Sequence, residues 1–274
     1  MDLHGISAAI YAKRRKLSVL VISKGNGALA KTDKIENYYG FAKPISGQQL
    51  YENGLAQAKN LGIELIEDEV VSVQLEEKFE VETVNSHYQA KTVILATGTN
   101  RMVPPIKGIK EFEGKGVSYC AVCDAFFYKN KEVAVLGNGN YAIHEMEQLK
   151  PVAKEVTILT NGESIVENRN IGNIKVESKK IREFRGDSKI QEVEFEDNTI
   201  KPVQGVFVAL GTASSSDLAR KIGARIENNR IVVNENMETT VPGLFACGDC
   251  TGGLLQISKA VYEGAVAGLT VLKS

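Results

Sequence analysis

Residues 133–142 read Val133-Ala134-Val135-Leu136-Gly137-Asn138-Gly139-Asn140-Tyr141-Ala142. A short apolar run of this kind is a buried strand. The Gly-x-Gly-x-x-Ala that follows opens a helical pattern over 141–149. In a strand–turn–helix unit the first glycine makes the tight turn and the second lets the backbone approach a pyrophosphate. The small third residue lets helix and strand pack closely. The plainer alternative is a tight turn that holds no ligand. A nucleotide site also needs a group for the adenosine ribose about 20 residues on, at the end of the next strand. A carboxylate there selects NAD and an arginine cluster NADP. This chain has Leu159-Thr160-Asn161-Gly162, neither acidic nor basic. NAD(P)H is therefore not an expected ligand of this turn.

Working outward, residues 6–16 are rich in helix formers and end in cations, as a helix C-terminus favours. Leu17–Ile22 reads as a short buried strand, closed by the loop Gly25-Asn26-Gly27. Apolar residues at Leu50, Leu55, Ala58 and Leu61 give a helix over 46–61. Strands are expected at 70–74, 79–84, 92–96, 132–136, 155–159, 192–196 and 206–210, and a last helix at 256–272. Strands alternating with helices point to an α/β protein with parallel, doubly wound sheets. Val103-Pro104-Pro105 and the stretch after Gly211 are the best domain breaks.

The 274 residues are 43 % hydrophobic and 24 % charged, with a net charge of −1. That is ordinary globular composition, and the charge balance argues against nucleic acid or a membrane surface as the main partner. No apolar run approaches the roughly 20 residues of a membrane helix. The N-terminus is not expected to be a signal peptide, because the basic run Lys13-Arg14-Arg15-Lys16 follows its apolar stretch. His4, His87 and His144 are dispersed and form no triad.

The four cysteines sit as two C-x-x-C pairs. Cys120 and Cys123 can close a small disulfide loop or ligate a metal. The second pair is far too distant in sequence for a zinc ribbon, so redox chemistry is the better reading, with Asp124 placed to relay protons. Cys247 and Cys250 read as small buried side chains beside Gly248-Asp249.

These residues carry a family resemblance over nearly the whole chain. Glu36-Asn37-Tyr-Tyr-Gly-Phe41 with Ser46-Gly47, Ala96-Thr97-Gly98, Cys120-Ala-Val-Cys-Asp-Ala-Phe-Phe127 and Val241-Pro-Gly-Leu-Phe-Ala-Cys-Gly-Asp249 resemble, in order, motifs of the low-molecular-weight thioredoxin reductases. The resemblance implies two Rossmann-like, three-layer domains, the second inserted into the first. Residues 1–103 plus 211–274 would bind FAD, and 104–210 would carry the redox cysteines on a vestigial dinucleotide fold. It implies FAD contacts from Gly5, Ser23, Lys24, Gly27, Ala28, Leu29, Thr32, Asn37, Val71, Ala96, Thr97, Gly98, Gly248 and Asp249. Gln256 and Ile257 would face the flavin ring at a helix N-terminus. It further implies that Cys123 is the flavin-side thiol, that Cys120 attacks the partner's disulfide and that Asp124 is the acid–base group. A thioredoxin-like partner, a homodimer and a cytoplasmic setting belong to the same expectation.

Two departures shape the functional reading. The Leu-Thr-Asn-Gly at 159–162 stands where the family carries its NADPH-reading His-Arg-Arg. With the Cys-Ala-Val-Cys-Asp-Ala and Cys-Gly-Asp-Cys strings, this is similar to the subgroup that takes electrons from ferredoxin. Composition marks no basic face for an acidic ferredoxin, with 15 basic and 16 acidic residues over 107–210. The family also opens with a strand and Gly-x-Gly-x-x-Gly, of which only Gly5 has a match here. A conventional NAD(P)H-dependent reductase and a non-catalytic fragment of one are the alternatives.

Overall fold

The structure, a computed structural model, describes residues 3–25, 27–98, 104–166 and 174–271. Asn26 and Val103, which figure in the sequence reading, lie outside them. The chain forms two compact units, Met1–Asn100 with Ser214–Ser274, and Arg101–Ala213.

The first unit opens with α1 (Leu3–Arg14), β1 (Leu20–Ser23), α2 (Gly47–Asn60) and β2 (Glu64–Glu67). Ala8, Ala9 and Ala12 favour α1 and are buried, and Lys13 and Arg14 sit where the helix dipole welcomes cations. Ser46 caps α2, its Oγ accepting the Gln49 N–H at 3.1 Å. β1 and β2 pair in parallel. The expected strand from Leu17 begins only at Leu20; Leu17 and Val19 instead pack beside Ala12. A meander of β3 (Val70–Leu75), β4 (Phe79–Thr83) and β5 (His87–Ala90) follows, and then β6 (Val93–Leu95). The meander is antiparallel. Period-2 alternation along β4 turns Phe79, Val81 and Thr83 inward.

The second unit carries β7 (Val117–Ser118), α3 (Ala121–Asp124), β8 (Glu132–Leu136), α4 (Asn140–Leu149), β9 (Glu155–Leu159), β10 (Lys175–Glu177), β11 (Ile181–Gly186), β12 (Ile190–Phe195), β13 (Ile200–Pro202) and β14 (Gly205–Val208). Five strands form a parallel sheet in the order β10-β9-β8-β14-β7. The run from Val133 to Leu136 is fully buried in it. Phe184, Val193 and Phe195 of the antiparallel sheet β11-β12-β13 share one core with Leu136, Leu159 and Val206. The expected strand at 192–196 is the middle strand of this second sheet.

The chain then returns to the first unit with α5 (Ser215–Lys221), β15 (Ile226–Glu227), β16 (Arg230–Ile231), β17 (Leu244–Ala246) and α6 (Ile257–Thr270). β17 pairs with β6 in parallel. Among the described residues the parallel strands of this unit stand as two pairs, β1-β2 and β6-β17, and β1 is half-buried along its whole length.

α1 and α6 pack unusually closely. A Cβ on Gly264 would lie 2.4 Å from the His4 carbonyl oxygen, and one on Gly268 would lie 2.2 Å from that of Ala8. The sign of a Gly→Ala change in a helix thus depends on position. Gly268→Ala gains about 1 kcal/mol of helix propensity but overpacks a rigid backbone, which costs about 1–3 kcal/mol. The net loss of up to about 2 kcal/mol should lower the melting temperature by up to about 8 °C. Gly54→Ala in α2 meets Ile6 only at 3.6 and 3.8 Å, ordinary contact, and should raise it. Thermal melts of both variants that move in the same direction would contradict this packing.

Candidate active site

In the second unit, β7 ends at Ser118 and delivers Cys120 as the N-cap of α3, one turn long. Cys120 and Cys123 form a disulfide, with Cα atoms 5.3 Å apart. Cys120 is buried and Cys123 exposed. The backbone N–H groups of the turn are shared out among nearby acceptors. That of Cys120 goes to Ser118 Oγ at 3.1 Å, that of Ala121 to Glu145 Oε2 at 2.8 Å, and that of Cys123 to Cys120 Sγ at 3.2 Å. Ser118 Oγ donates in turn to Asp124 Oδ2 at 2.6 Å, which fixes that carboxylate beside the disulfide. Burial, and to a lesser degree the charge of Asp124, push the Tyr128 phenol above its ordinary pKa. Beyond α3, Phe126 and Phe127 stand 79 % and 67 % exposed. Sequence reasoning missed Ser118 and Glu145. Neither carries a local signal, since only the fold brings Glu145 from α4 to the redox turn.

The glycine turn between β8 and α4 divides by cause. A Cβ on Gly137 would lie 2.1 Å from the Ala209 carbonyl oxygen and 2.8 Å from Ala142 Cβ, so packing demands both small residues. A Cβ on Gly139 would meet nothing nearer than Gly211 O at 3.6 Å. The chain beyond β9 folds back across this turn. Val166 N–H donates to the Asn138 carbonyl at 2.7 Å, and Asn138 Nδ2 donates to the Ser164 carbonyl at 3.0 Å. The polar groups after Leu159 are used locally. Thr160 Oγ1 donates to the Glu163 carbonyl at 2.6 Å, and Asn161 Oδ1 accepts the Ile181 N–H at 2.8 Å. Lys180 lies along Gly162.

In the first unit most of the residues implied for FAD follow parallel strands or lie on loops, while Gly5 is in α1 and Val71 in the antiparallel strand β3. Ser23 ends β1, and Lys24 after it pairs with Glu69 at 2.8 Å. Gly27 caps the 3-10 turn Ala28–Lys31, whose Leu29 carbonyl is so close to Gly47 that only glycine fits there. Thr32 accepts the Gly47 N–H at 2.7 Å. Val71 is 1 % exposed, so only its main chain is available to a ligand. Ala96-Thr97-Gly98 follow β6. Thr97 is held through its N–H and Oγ1 to Ser215 Oγ at 3.0 and 2.7 Å, and Gly98 has φ +72°. Gly5 packs with ordinary contact against Ala96. Asn37 Nδ2 donates to Gln256 Oε1 at 3.0 Å and so ties its loop to the start of α6.

Gly248 follows β17 with φ +83°, and a Cβ there would strike the His4 ring at 2.5 Å. A buried network fixes this turn. Glu263 Oε2 accepts from the Gly248 N–H at 2.7 Å, from Thr251 Oγ1 at 2.9 Å and from Lys259 Nζ at 2.9 Å, while Lys259 also donates to the Gly248 carbonyl at 2.8 Å. The half-buried Asp249 carboxylate has no protein hydrogen-bond partner among the described residues. α6 starts at Ile257 with no side chain capping its first turn. An unspent carboxylate, an uncapped helix N-terminus and a glycine that admits no side chain fit a flavin dinucleotide. Glu263, Lys259 and Ser215, which hold these groups, had no signature in the sequence.

Cys247 and Cys250 are free and fully buried. Burial pushes the Cys250 thiol up to about 12 and the Cys247 thiol well above its ordinary value. Alkylation follows the thiolate. Iodoacetamide at pH 8 should therefore label no cysteine of the native oxidised protein, two after denaturation without reductant, and all four after reduction. Four labelled thiols in the unreduced, denatured protein would contradict the disulfide.

The description "Pyridine nucleotide-disulphide oxidoreductase" belongs to the family model that matches residues 4–264. A thioredoxin reductase of Aquifex aeolicus is 36 % identical over an alignment of 280 positions that covers 96 % of this chain and 86 % of that one. Among solved structures, the atypical thioredoxin reductase TRi from Desulfovibrio vulgaris Hildenborough superposes with a TM-score of 0.94 at 35 % identity, covering 98 % of this chain and 93 % of that one. A ferredoxin-flavin thioredoxin reductase from Clostridium acetobutylicum gives a TM-score of 0.69 at 32 % identity over the same shares. The parallel sheets, the Cys120–Cys123 disulfide and these likenesses agree: the chain belongs to the pyridine nucleotide-disulphide oxidoreductase family, as a flavoprotein of the thioredoxin reductase type that acts on a disulfide.

Proposed function

We propose that this protein transfers electron pairs through FAD and the Cys120–Cys123 pair to a thioredoxin-like protein, with ferredoxin as the electron donor. The observation that carries the reading is the disulfide at the end of β7 with Asp124 locked beside it by Ser118. The domain roles follow the two compact units, FAD with the first and the redox pair with the second. Bound flavin supplies a two-electron reductant. Two electrons and two protons convert the disulfide to two thiols, with Cys123 as the flavin-side sulfur. Asp124 takes the Cys120 proton, and the Cys120 thiolate attacks one sulfur of the partner's disulfide. A mixed disulfide forms, and the first partner sulfur leaves and is protonated. Cys123 then attacks Cys120, the bond between them closes again, and the second partner sulfur leaves. Attack requires the buried Cys120 to become accessible. The exposed Phe126 and Phe127 beside the pair offer an apolar surface to the partner.

For the donor, the support is the strap of residues 164–166 across the glycine turn, together with the local use of Thr160 and Asn161. Losing one charge-assisted contact to a nucleotide costs about 1.5–3 kcal/mol, roughly ten- to more than a hundredfold in affinity. The conventional NAD(P)H reading has its own support in the Lys180 side chain, whose stem lies against Gly162. A homodimer and a cytoplasmic setting remain part of the proposal by resemblance. No helix among the described residues is long and apolar enough to cross a membrane.

Two experiments test this. With flavin bound, millimolar NADPH should leave absorbance near 450 nm unchanged in stopped flow, and reduced ferredoxin should bleach it. Bleaching by NADPH at catalytic rates would overturn the donor assignment and point to Lys180. Cys123→Ser should keep a reducible flavin while thioredoxin reduction falls by about a hundredfold or more, because the exchange sequence cannot close. Near-normal turnover would refute the roles of the pair.

A further inference from the structure

Glu145 is 1 % exposed on α4, and its Oε2 accepts the N–H of Ala121, the first residue between the two redox cysteines, at 2.8 Å. The Nδ1 of His144, itself 2 % exposed, lies 3.5 Å from the other carboxylate oxygen. Burying a carboxylate costs several kcal/mol unless it is well paired. A neutral glutamine would satisfy the Ala121 N–H equally well. A charged acceptor at this point is therefore more than the backbone needs.

Cys120 Sγ accepts the Cys123 N–H at 3.2 Å, and the Ala121 N–H goes to Glu145. Ionisation of one of the two thiols of the reduced pair leaves one thiol and one thiolate, and N–H donors stabilise that thiolate while nearby negative charge opposes it. A reduced form that is less stabilised is a stronger reductant.

We propose that Glu145 is a positioning residue that holds the Ala121 N–H between the redox cysteines and sets its charge against the reduced pair, so that Cys120 and Cys123 form a more strongly reducing dithiol. The inference rests on the proposed redox role of that pair. Other titratable groups of the elements packed here include Asp124 on α3, bonded to Ser118, the Tyr128 phenol, its pKa raised by burial and by the charge of Asp124, Tyr119 next to Cys120, and Tyr141 and His144 on α4. Glu132 and Glu155, at the starts of the neighbouring β8 and β9, are paired at the surface with Lys154 and Lys175.

The test is equilibration of the full chain in dithiothreitol redox buffers, with thiol counting at Cys120 and Cys123. The parent and Glu145→Gln are compared, with the thiol acidity of the reduced pair followed by pH-dependent alkylation. Glu145→Gln keeps an acceptor oxygen for Ala121 and removes the charge, so a purely structural role leaves both readouts unmoved. We expect the disulfide-to-dithiol equilibrium constant to rise three- to tenfold in Glu145→Gln, tenfold being about 30 mV for two electrons, and the more acidic thiol to ionise at lower pH. If Glu145→Gln does not fold, Glu145→Met, which also removes the charge, takes its place. A folded Glu145→Gln, or failing that a folded Glu145→Met, that titrates like the parent overturns the inference while leaving the redox pair intact. A parent whose Cys120–Cys123 bond does not equilibrate with the buffer at all overturns both.

Discussion

The structure around the disulfide depends on one constraint: every backbone N–H in a tight buried turn needs an acceptor, and here few are main-chain groups. Ser118, Glu145 and the Cys120 sulfur each take one. Ser118 comes from β7 and Glu145 from α4, so the redox turn exists only where those two elements meet. The position of α4 depends in turn on Gly137 and Ala142, which let the helix start against the end of β8 and the Ala209 carbonyl. The glycine turn thus has a structural task in this protein whatever it binds.

The first unit applies the same economy to a different group. Glu263 and Lys259, one turn apart on α6, saturate the N–H and carbonyl of Gly248 and the hydroxyl of Thr251. Asp249 is left over, with its carboxylate unspent. The glycines that let α6 approach α1 also set where this network sits relative to His4. In both units the residues proposed to react or to face a ligand follow the carboxyl ends of parallel strands: Cys120 after β7, Thr97 after β6 and Asp249 after β17. That is where open α/β sheets present their ligands.

Local signals carried much of this into the sequence. The run Val133–Leu136 with Gly137, Gly139 and Ala142 announced a strand, a turn and a helix, and β8 and α4 stand there. The C-x-x-C spacing left a disulfide and a metal open, and the structure has the disulfide. The reading of Cys247 and Cys250 as buried side chains agrees with their complete burial. What stayed hidden is non-local. β5, β11 and β13 are short strands with mixed polarity, defined by antiparallel partners instead of their own pattern. Glu145 looks like any helix carboxylate until α4 packs beside α3. Lys180 reaches Gly162 only through the fold, so a search for cations next to Leu159 in sequence cannot find it.

On the proposed function, the flavin and the Cys120–Cys123 disulfide form one two-centre redox system. An anaerobic dithionite titration of the flavin-loaded protein, followed at 450 nm, tests it most directly. The account predicts four electron equivalents per chain before bleaching is complete, two for the flavin and two for the disulfide. The Cys120→Ser, Cys123→Ser double variant should take up two. An end point of two equivalents in the parent protein would contradict it.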